Sequence, residues 1–294
     1  MTKPGRLAVG VIGAGRVGAV LGAALREAGH VVTGASGASD ASVSRIETLL
    51  AGVPHVDPEE VARGAELVLV TVPDDALEPL VEGLGKLGAW RQGQIVVHCA
   101  GRHGTEVLSA AAHAGAVPLA IHPAMTFTGT SIDLRRLRDA AFAVTAAPAF
   151  LPIAQALAVE MGGEPIVIAD EDRAAYHAAL VHGANHAVTL VAQASAQLAR
   201  IGVENPARIL SPLVHASIEG ALSDAPGAVS TLTGPVVRGD ARTISAHVAS
   251  LRDQPAALAA YRAMCTATAD LALAGGRLAP GDYAEVIAAL GAHA

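Results

Sequence analysis

The segment "RLAVGVIGAGRVG", residues 6–18, constrains the fold more than any other part of the chain. An apolar run of β type ends in Gly13, Gly15 and Gly18, and an alanine-rich stretch follows. The spacing G-x-G-x-x-G between a strand and a helix marks the opening turn of a dinucleotide-binding βαβ unit. Gly13 permits the tight turn, Gly15 lets a pyrophosphate approach the backbone, and Gly18 lets the helix pack close to the strand. The following helix, beginning at Arg16 and Val17, offers free N–H groups and a positive dipole end to phosphates.

That unit is the first of a series. Short apolar runs recur at 6–13, 30–36, 66–73, 94–101, 118–123 and 141–146, separated by helical segments such as 16–28 and 75–88. Near-continuous apolar strands alternating with helices indicate a doubly wound, mostly parallel Rossmann sheet covered on both faces. One further run, 164–170, precedes helical periodicity almost to the end. The expected helices are 171–201, 205–223, 240–253, 255–275 and 281–292, with a long Gly/Pro/Ser/Thr-rich loop over 223–240. The expected division is a dinucleotide-binding domain, residues 1–148, and an all-helical substrate and dimerisation domain, residues 149–294.

Composition narrows the class. Hydrophobic residues make up 52% of the chain but aromatics only 2%, so packing must come from many small side chains at close approach. A net charge of −7 without a basic run argues against a nucleic-acid or anionic-membrane partner. Cys99 and Cys265 stand alone, without C-x-x-C spacing, so neither a thiolate zinc site nor a disulfide framework is expected. No signal-peptide pattern opens the chain, and the most membrane-like stretch, 140–159, is interrupted by Pro148 and Pro152. A cytoplasmic setting with reduced thiols and a small-molecule substrate is the expectation.

The end of the second strand sets the cofactor. An acid there would bind the ribose 2′-hydroxyl of NAD. This chain has Thr33, Gly34, Ala35, Ser36 and Gly37, which leave room for a 2′-phosphate. Ser36 would donate to it, with Arg45 or Arg16 as the cationic partner. NADP(H) is therefore favoured over NAD, although Asp40 would take the NAD role if the strand ran further. Later strand ends border the same ligand site. They bring in Val72 and Pro73 of "TVPDDAL", Cys99 and Gly101 of "HCAGRHG", and His122 of "IHPAMTFTG".

The stretch "YHAALVHGANHAVTL", 176–190, carries three histidines on one expected helix. At about 100° per residue, His177 and Asn185 share a broad face with Val181 and Ala184. His182 and His186 form an i, i+4 pair on another face. The intervening residues are Gly183, Ala184 and Asn185, without the acid of the catalytic H-E-x-x-H pattern, so no metal site is expected. The candidate catalytic residues are His122, followed by the rigid Pro123, with Asn185 and His177 facing it.

With "GVIGAGRVG", "LVLVTVPDDAL", "VVHCAG", "IHPAMTF", "YHAALVHGANH" and "TLTGPVVRGD" together, the chain resembles the Rossmann-like proteins with a helical C-terminal domain of unassigned function. These are similar to the 6-phosphogluconate dehydrogenase-like superfamily, which includes pyrroline-5-carboxylate reductase, deazaflavin-dependent NADP reductase and ketopantoate reductase. The resemblance implies an NADP(H)-dependent oxidoreductase of a small oxo or hydroxy acid, with ketopantoate as the named candidate. It also implies a homodimer through the helical domain. "IHPAM" resembles the H-P-M stretch of prephenate dehydrogenases, which gives a second enzymatic reading. The superfamily's hydroxyacid dehydrogenases use a helix motif K-x-x-x-N. With Asn185 in the asparagine position, the lysine position here is Val181, and the only lysines are Lys3 and Lys86. A lysine acid–base group in the helical domain is thus excluded, and a proton donor there must be His, Tyr, Ser, Thr or water. The missing lysine keeps open a third reading, a dinucleotide-sensing protein without catalysis.

Overall fold

The structure is a computed structural model and describes residues 6–223 and 231–291. Its contacts gather the chain into two compact units, Met1–Asn185 and His186–Ala294.

The first unit holds a seven-stranded sheet of β1 (Ala8–Ile12), β2 (Val31–Ser36), β3 (Leu67–Val70), β4 (Ile95–His98), β5 (Val117–Pro123), β6 (Ala141–Thr145) and β7 (Glu164–Val167). Its helices are α1 (Arg16–Glu27), α2 (Asp40–Leu49), α3 (Pro58–Gly64), α4 (Asp74–Lys86), α5 (Ser109–His113), α6 (Ile132–Arg136), α7 (Leu151–Glu160) and α8 (Arg173–Leu180). The strand order is β2-β1-β3-β4-β5-β6-β7. All neighbours are parallel except β5 and β6. The doubly wound, mostly parallel sheet expected from the alternation is present, and each expected apolar run contributes a strand.

Side-chain alternation explains why continuous apolar runs form these strands. In β3, Leu67 and Leu69 enter the core on one face, while Val68 and Val70 enter the core on the other. In β4, Val97 and Val96 divide the same way. A strand buried on both faces has no solvent side to carry polar residues. Local signals set the helix starts. Ser39 and Ser42 form a reciprocal capping box at α2, and Asp74 and Asp75 stand in the first turn of α4.

From β1 the chain moves to β2 on one side, then crosses to β3 on the other. The carboxyl ends of β1 and β3 therefore bracket a topological switch point, where ligands bind in sheets of this kind. The boundary expected at 148 falls inside this unit. β7 pairs with β6 from Ala141↔Glu164 to Val144↔Val167, and α7 contributes Ala154, Leu157 and Ala158 to the core.

The single helix expected over 171–201 is divided. A 3₁₀ turn (Asp170–Asp172) leads into α8, a π-helical turn covers Val181–Asn185, and α9 (His186–Arg200) follows. The second unit continues with α10 (Pro206–Ser223), α11 (Ala241–Ser250), α12 (Pro255–Ala274) and α13 (Pro280–Ala289). Its core joins Val236, Ile244, Val248, Cys265, Ala269 and Val286. Of the loop expected over 223–240, residues 224–230 lie outside the described residues. Among the described residues no helix is long and apolar enough to cross a membrane.

Candidate active site

The glycine motif forms the turn from β1 into α1. Gly13 adopts φ +87°, and a Cβ there would lie 2.9 Å from Val72 Cγ1. Gly13 N and Ala14 N both donate to the Ser36 carbonyl, at 3.1 and 2.7 Å, which ties the turn to the end of β2. A Cβ on Gly18 would fall 2.1 Å from Thr71 Oγ1, so this glycine allows α1 to seat against the end of β3. The Thr71 hydroxyl donates to Gly13 O at 2.8 Å. Sequence reasoning missed this latch, because one threonine after an apolar strand carries no distinct signal. Gly15 differs. A Cβ there would meet only Gly13 O, at 3.9 Å, leaving open space in front of the backbone. No side chain caps α1 and no acid stands in its first turn. An open approach to an uncapped helix N-terminus fits the pyrophosphate of a dinucleotide. Val17 instead packs against the core.

A cavity of about 420 Å³ opens at the switch point. Gly13, Ser36, Gly37, His55, Asp57 and Val72 are among its lining residues. β2 carries no acid, and Asp40 lies beyond the strand, at the first position of α2. Arg16 and Arg45 do not line this cavity. Both abut Gly129, where a Cβ would come within 2.6 Å of Arg45 Nε and 3.0 Å of Arg16 Cγ. The imidazole at the end of β2 belongs to His55, whose Nε2 lies 3.3 Å from Gly37 N and 3.1 Å from Gly37 O. Pro73 N-caps α4.

At the end of β4 the chain turns sharply. His98 is fully buried; its Nδ1 accepts from Ala100 N at 3.1 Å and its Nε2–H donates to Gly104 O at 2.8 Å. Burial pushes its pKa down to about 3, which keeps the ring neutral in that tautomer. Burial likewise pushes the Cys99 thiol up to about 12, so Cys99 is not a nucleophile at neutral pH. Both residues are part of the scaffold. The backbone around them is stitched by Arg173, a fully buried cation at the start of α8. Its Nη2 donates to Ala100 O at 2.8 Å, its Nε to Gly101 O at 3.2 Å, and its Nη1 to Thr145 Oγ1 at 3.1 Å. In sequence it is the last letter of "DEDR", indistinguishable from a solvated arginine.

Arg173 thereby docks α8 on the carboxyl edge of the sheet, and the next residues on α8 meet His122. A Cβ on Gly101 would lie 2.4 Å from His177 Cδ2, so that glycine seats the His177 ring. The His122 ring meets His177 edge-on at 5.8 Å and Tyr176 edge-on at 5.7 Å. The Tyr176 hydroxyl pairs with His122 Nδ1 at 2.9 Å. Burial, assisted by the Arg173 charge, pushes His122 down to about 4, so the imidazole is neutral. Burial also raises the Tyr176 phenol above its usual range, keeping it protonated.

A cavity of about 330 Å³ adjoins this group, lined by His122, Met125, Thr126, His177, Val181 and Asn185 among others. The three candidate catalytic residues thus border one space. Tyr176 was missed as an individual residue, although tyrosine was among the donor types that the absence of lysine leaves. The π turn brings Val181, Ala184 and Asn185 to the cavity wall. Such turns often mark functional positions in helices. His182 and His186 are not in that wall. Among the described residues no group of three or more His, Cys, Asp or Glu side chains is arranged to hold a metal ion.

Two family models match the chain, and its fold recurs among solved structures. Residues 1–123 match the Rossmann-like domain, and residues 140–268 match the domain of unknown function DUF2520. No curated protein matches the chain in sequence. Among solved structures, a Bacteroides fragilis protein provisionally described as an NADP oxidoreductase is similar at TM-score 0.76 and 22% identity, over 90% of this chain and 98% of that one. An imine reductase from Streptomyces aurantiacus is similar at TM-score 0.65 and 19% identity, over 96% and 98%. A Plasmodium falciparum pyrroline carboxylate reductase with NADP bound is similar at TM-score 0.56 and 12% identity, over 91% and 100%. At these identities the likeness establishes the fold. The chain thus joins a Rossmann-like domain over residues 1–123 to a DUF2520 domain over residues 140–268, the second beginning within the sheet at β6 and continuing into the helical unit.

Proposed function

We propose that this protein is an NADP(H)-dependent oxidoreductase that reduces a polarised double bond in a small substrate, an oxo acid such as ketopantoate or a cyclic imine. The observation that carries this reading is the convergence of His122, His177 and Asn185 on one cavity, with Tyr176 bonded to His122. The cofactor reading is supported by the open Gly15 backbone at an uncapped helix and by the acid-free end of β2. The NADP-bound reductases of similar fold point the same way, and they include enzymes acting on carbon–nitrogen bonds.

NADPH, when bound, supplies the hydride. The chain must then deliver a proton to the substrate oxygen or nitrogen and hold the charge that develops there. With Tyr176 donating to Nδ1, neutral His122 carries its proton on Nε2. We assign that proton to the substrate heteroatom; as it leaves, the Tyr176 hydroxyl passes its own proton to Nδ1, and solvent water reprotonates the phenolate. Asn185 donates from its amide without titrating and orients the substrate. His177 forms the cavity wall and braces the His122 ring.

The same reading includes a homodimer through the helical unit. α9 and α10 bury none of their residues within the chain, and Val188, Leu213 and Leu222 are 71%, 62% and 77% exposed. A second copy would cover these apolar side chains.

The deciding experiment follows absorbance for NADPH oxidation with a panel of oxo acids and cyclic imines, and for NADP+ reduction with prephenate-type hydroxy acids. Turnover of an oxo acid or imine that is lost in His122→Ala supports the reading. Tight NADPH binding without turnover of any panel member would replace it with a dinucleotide sensor.

A further inference from the structure

The loop between β5 and α6 touches both halves of the site. At its start, Ala124, Met125 and Thr126 line the cavity beside His122. At its far end, Gly129 adopts φ +78° and presses its backbone against Arg16 and Arg45. Arg16 is the first residue of α1, next to Gly15. Between the ends, Phe127 is anchored in the core at 9% exposure. A span of six residues therefore runs from the substrate cavity to the phosphate end of the dinucleotide site.

One side chain fixes the shape of this span. Asp133, fully buried on α6, accepts from Thr128 N and Gly129 N at 2.8 Å each through Oδ2. Its Oδ1 accepts from the Thr128 hydroxyl at 3.0 Å and lies 3.6 Å from Arg136. These contacts hold two consecutive amides in the turn that gives Gly129 its left-handed conformation. Without the carboxylate, both amides would lose their acceptor, and the turn would lose its reason to keep Gly129 against the arginines.

We infer that Asp133 is a positioning residue that couples the dinucleotide site to the substrate cavity through the 124–129 span. The inference rests on the proposed dinucleotide reading. Anions drawn to Arg16 and Arg45 bear on the side chains that Gly129 abuts, Arg45 at Nε and Arg16 at Cγ. The Asp133 carboxylate and the core-seated Phe127 ring set the shape of the span, so the contact of Gly129 with the arginines bears on where Met125 stands at the cavity wall. Coupling of this kind is reciprocal: a ligand in the cavity favours dinucleotide binding by the same factor.

The probe is 2′-phospho-ADP-ribose, which carries the phosphates but no nicotinamide and so cannot touch the cavity through that ring. The readout is the ¹³C-methyl NMR signal of Met125, assigned with Met125→Leu, in the full-length protein. Met161, buried beside α7, serves as the internal reference. In the wild type the fragment should shift the Met125 signal and leave Met161 in place. Asp133→Ala should weaken fragment binding about tenfold and abolish the Met125 shift at saturation. Asp133→Asn should restore both, since its amide oxygen can accept from the two backbone N–H groups and its NH₂ can donate to Thr128. Gly129→Ala, strained at positive φ and crowding Arg45, should weaken binding without unfolding the sheet. A Met125 signal that stays silent while the fragment binds overturns the coupling alone. So does a shift that survives in Asp133→Ala. Lowered melting temperature in Asp133→Ala with unchanged affinity and shift reduces Asp133 to a structural role. Failure of the wild type to bind the fragment or NADPH overturns the dinucleotide reading and the coupling together.

Discussion

The Tyr176 hydroxyl lies 2.9 Å from His122 Nδ1, with the two rings edge-on at 84°. The pair joins a strand end to the first helix turns after the sheet. In the proposed mechanism it would supply a neutral donor backed by a protonated phenol, where the chain has no site lysine. Removing either member should separate chemistry from binding. His122→Ala should lower turnover roughly a hundredfold or more, with NADPH affinity nearly unchanged. Tyr176→Phe should lower turnover about tenfold or more by cutting off proton resupply. Asn185→Ala should raise KM and lower kcat together. Steady-state kinetics alongside NADPH fluorescence titration measures all three. A silent His122→Ala would sink the assignment.

The depressed histidines make stability depend on pH in a defined direction. His122 is lowered from 6.5 to about 4 and His98 to about 3, both mainly by burial. Between those values and 6.5 the unfolded chain binds protons that the folded chain refuses. Stability is therefore fully present above the ordinary histidine value and declines as pH falls through the window. Melting temperature should drop steadily as pH is lowered from about 6.5 toward 4, and His122→Asn should flatten that slope. The His122 ring should titrate near pH 4 by NMR. A ring that titrates at its ordinary value would contradict the burial argument.

The glycines of the motif should fail differently. Gly15→Val should abolish dinucleotide binding with the fold intact, because its Cβ meets no neighbour closer than 3.9 Å. Gly18→Ala should instead lower the melting temperature, since a Cβ there overlaps Thr71 Oγ1 at 2.1 Å. Calorimetry and thermal melts distinguish the two. Equal loss of stability in both would mean that Gly15 is as closely packed as Gly18.

NADPH should bind more tightly than NADH. β2 ends in Ser36 with no acid, and Asp40 is set back on α2. Ser36→Asp should shift the preference toward NADH by repelling the 2′-phosphate. Competitive titration of the two cofactors gives the ratio. A wild-type preference for NADH would restore Asp40 to the ribose.

His182→Ala and His186→Ala should be nearly neutral for turnover, and a chelator should leave activity unchanged. Neither histidine is in the cavity wall that His122, His177 and Asn185 share. A variant of this pair that loses activity while His122→Ala keeps it would move the site to the other helix face.

The sequence by itself determined the sheet and its ligand end. Short apolar runs such as Leu67–Val70, alternating with helical segments and bounded by turn residues, read as strands buried on both faces, and glycines at 13, 15 and 18 between a strand and a helix read as the turn of a βαβ unit. The grouping of His177, Val181, Ala184 and Asn185 was also legible, since those residues are close in sequence, although the π turn over Val181–Asn185 that carries three of them was not. Only the tertiary structure decided what surrounds them. Arg173, Tyr176, Thr71 and Asp133 act through partners 28 to 73 residues away, or through backbone amides whose placement depends on a finished turn. A buried arginine and a solvated one read alike in a string of letters, because the carbonyls that hold Arg173 come together only when β4, β6 and α8 are in place. The same reason moved Arg16 and Arg45 from the end of β2 to Gly129. Spacing along a chain gives the period of a side chain on its own element, whereas long-range packing chooses the neighbour it meets.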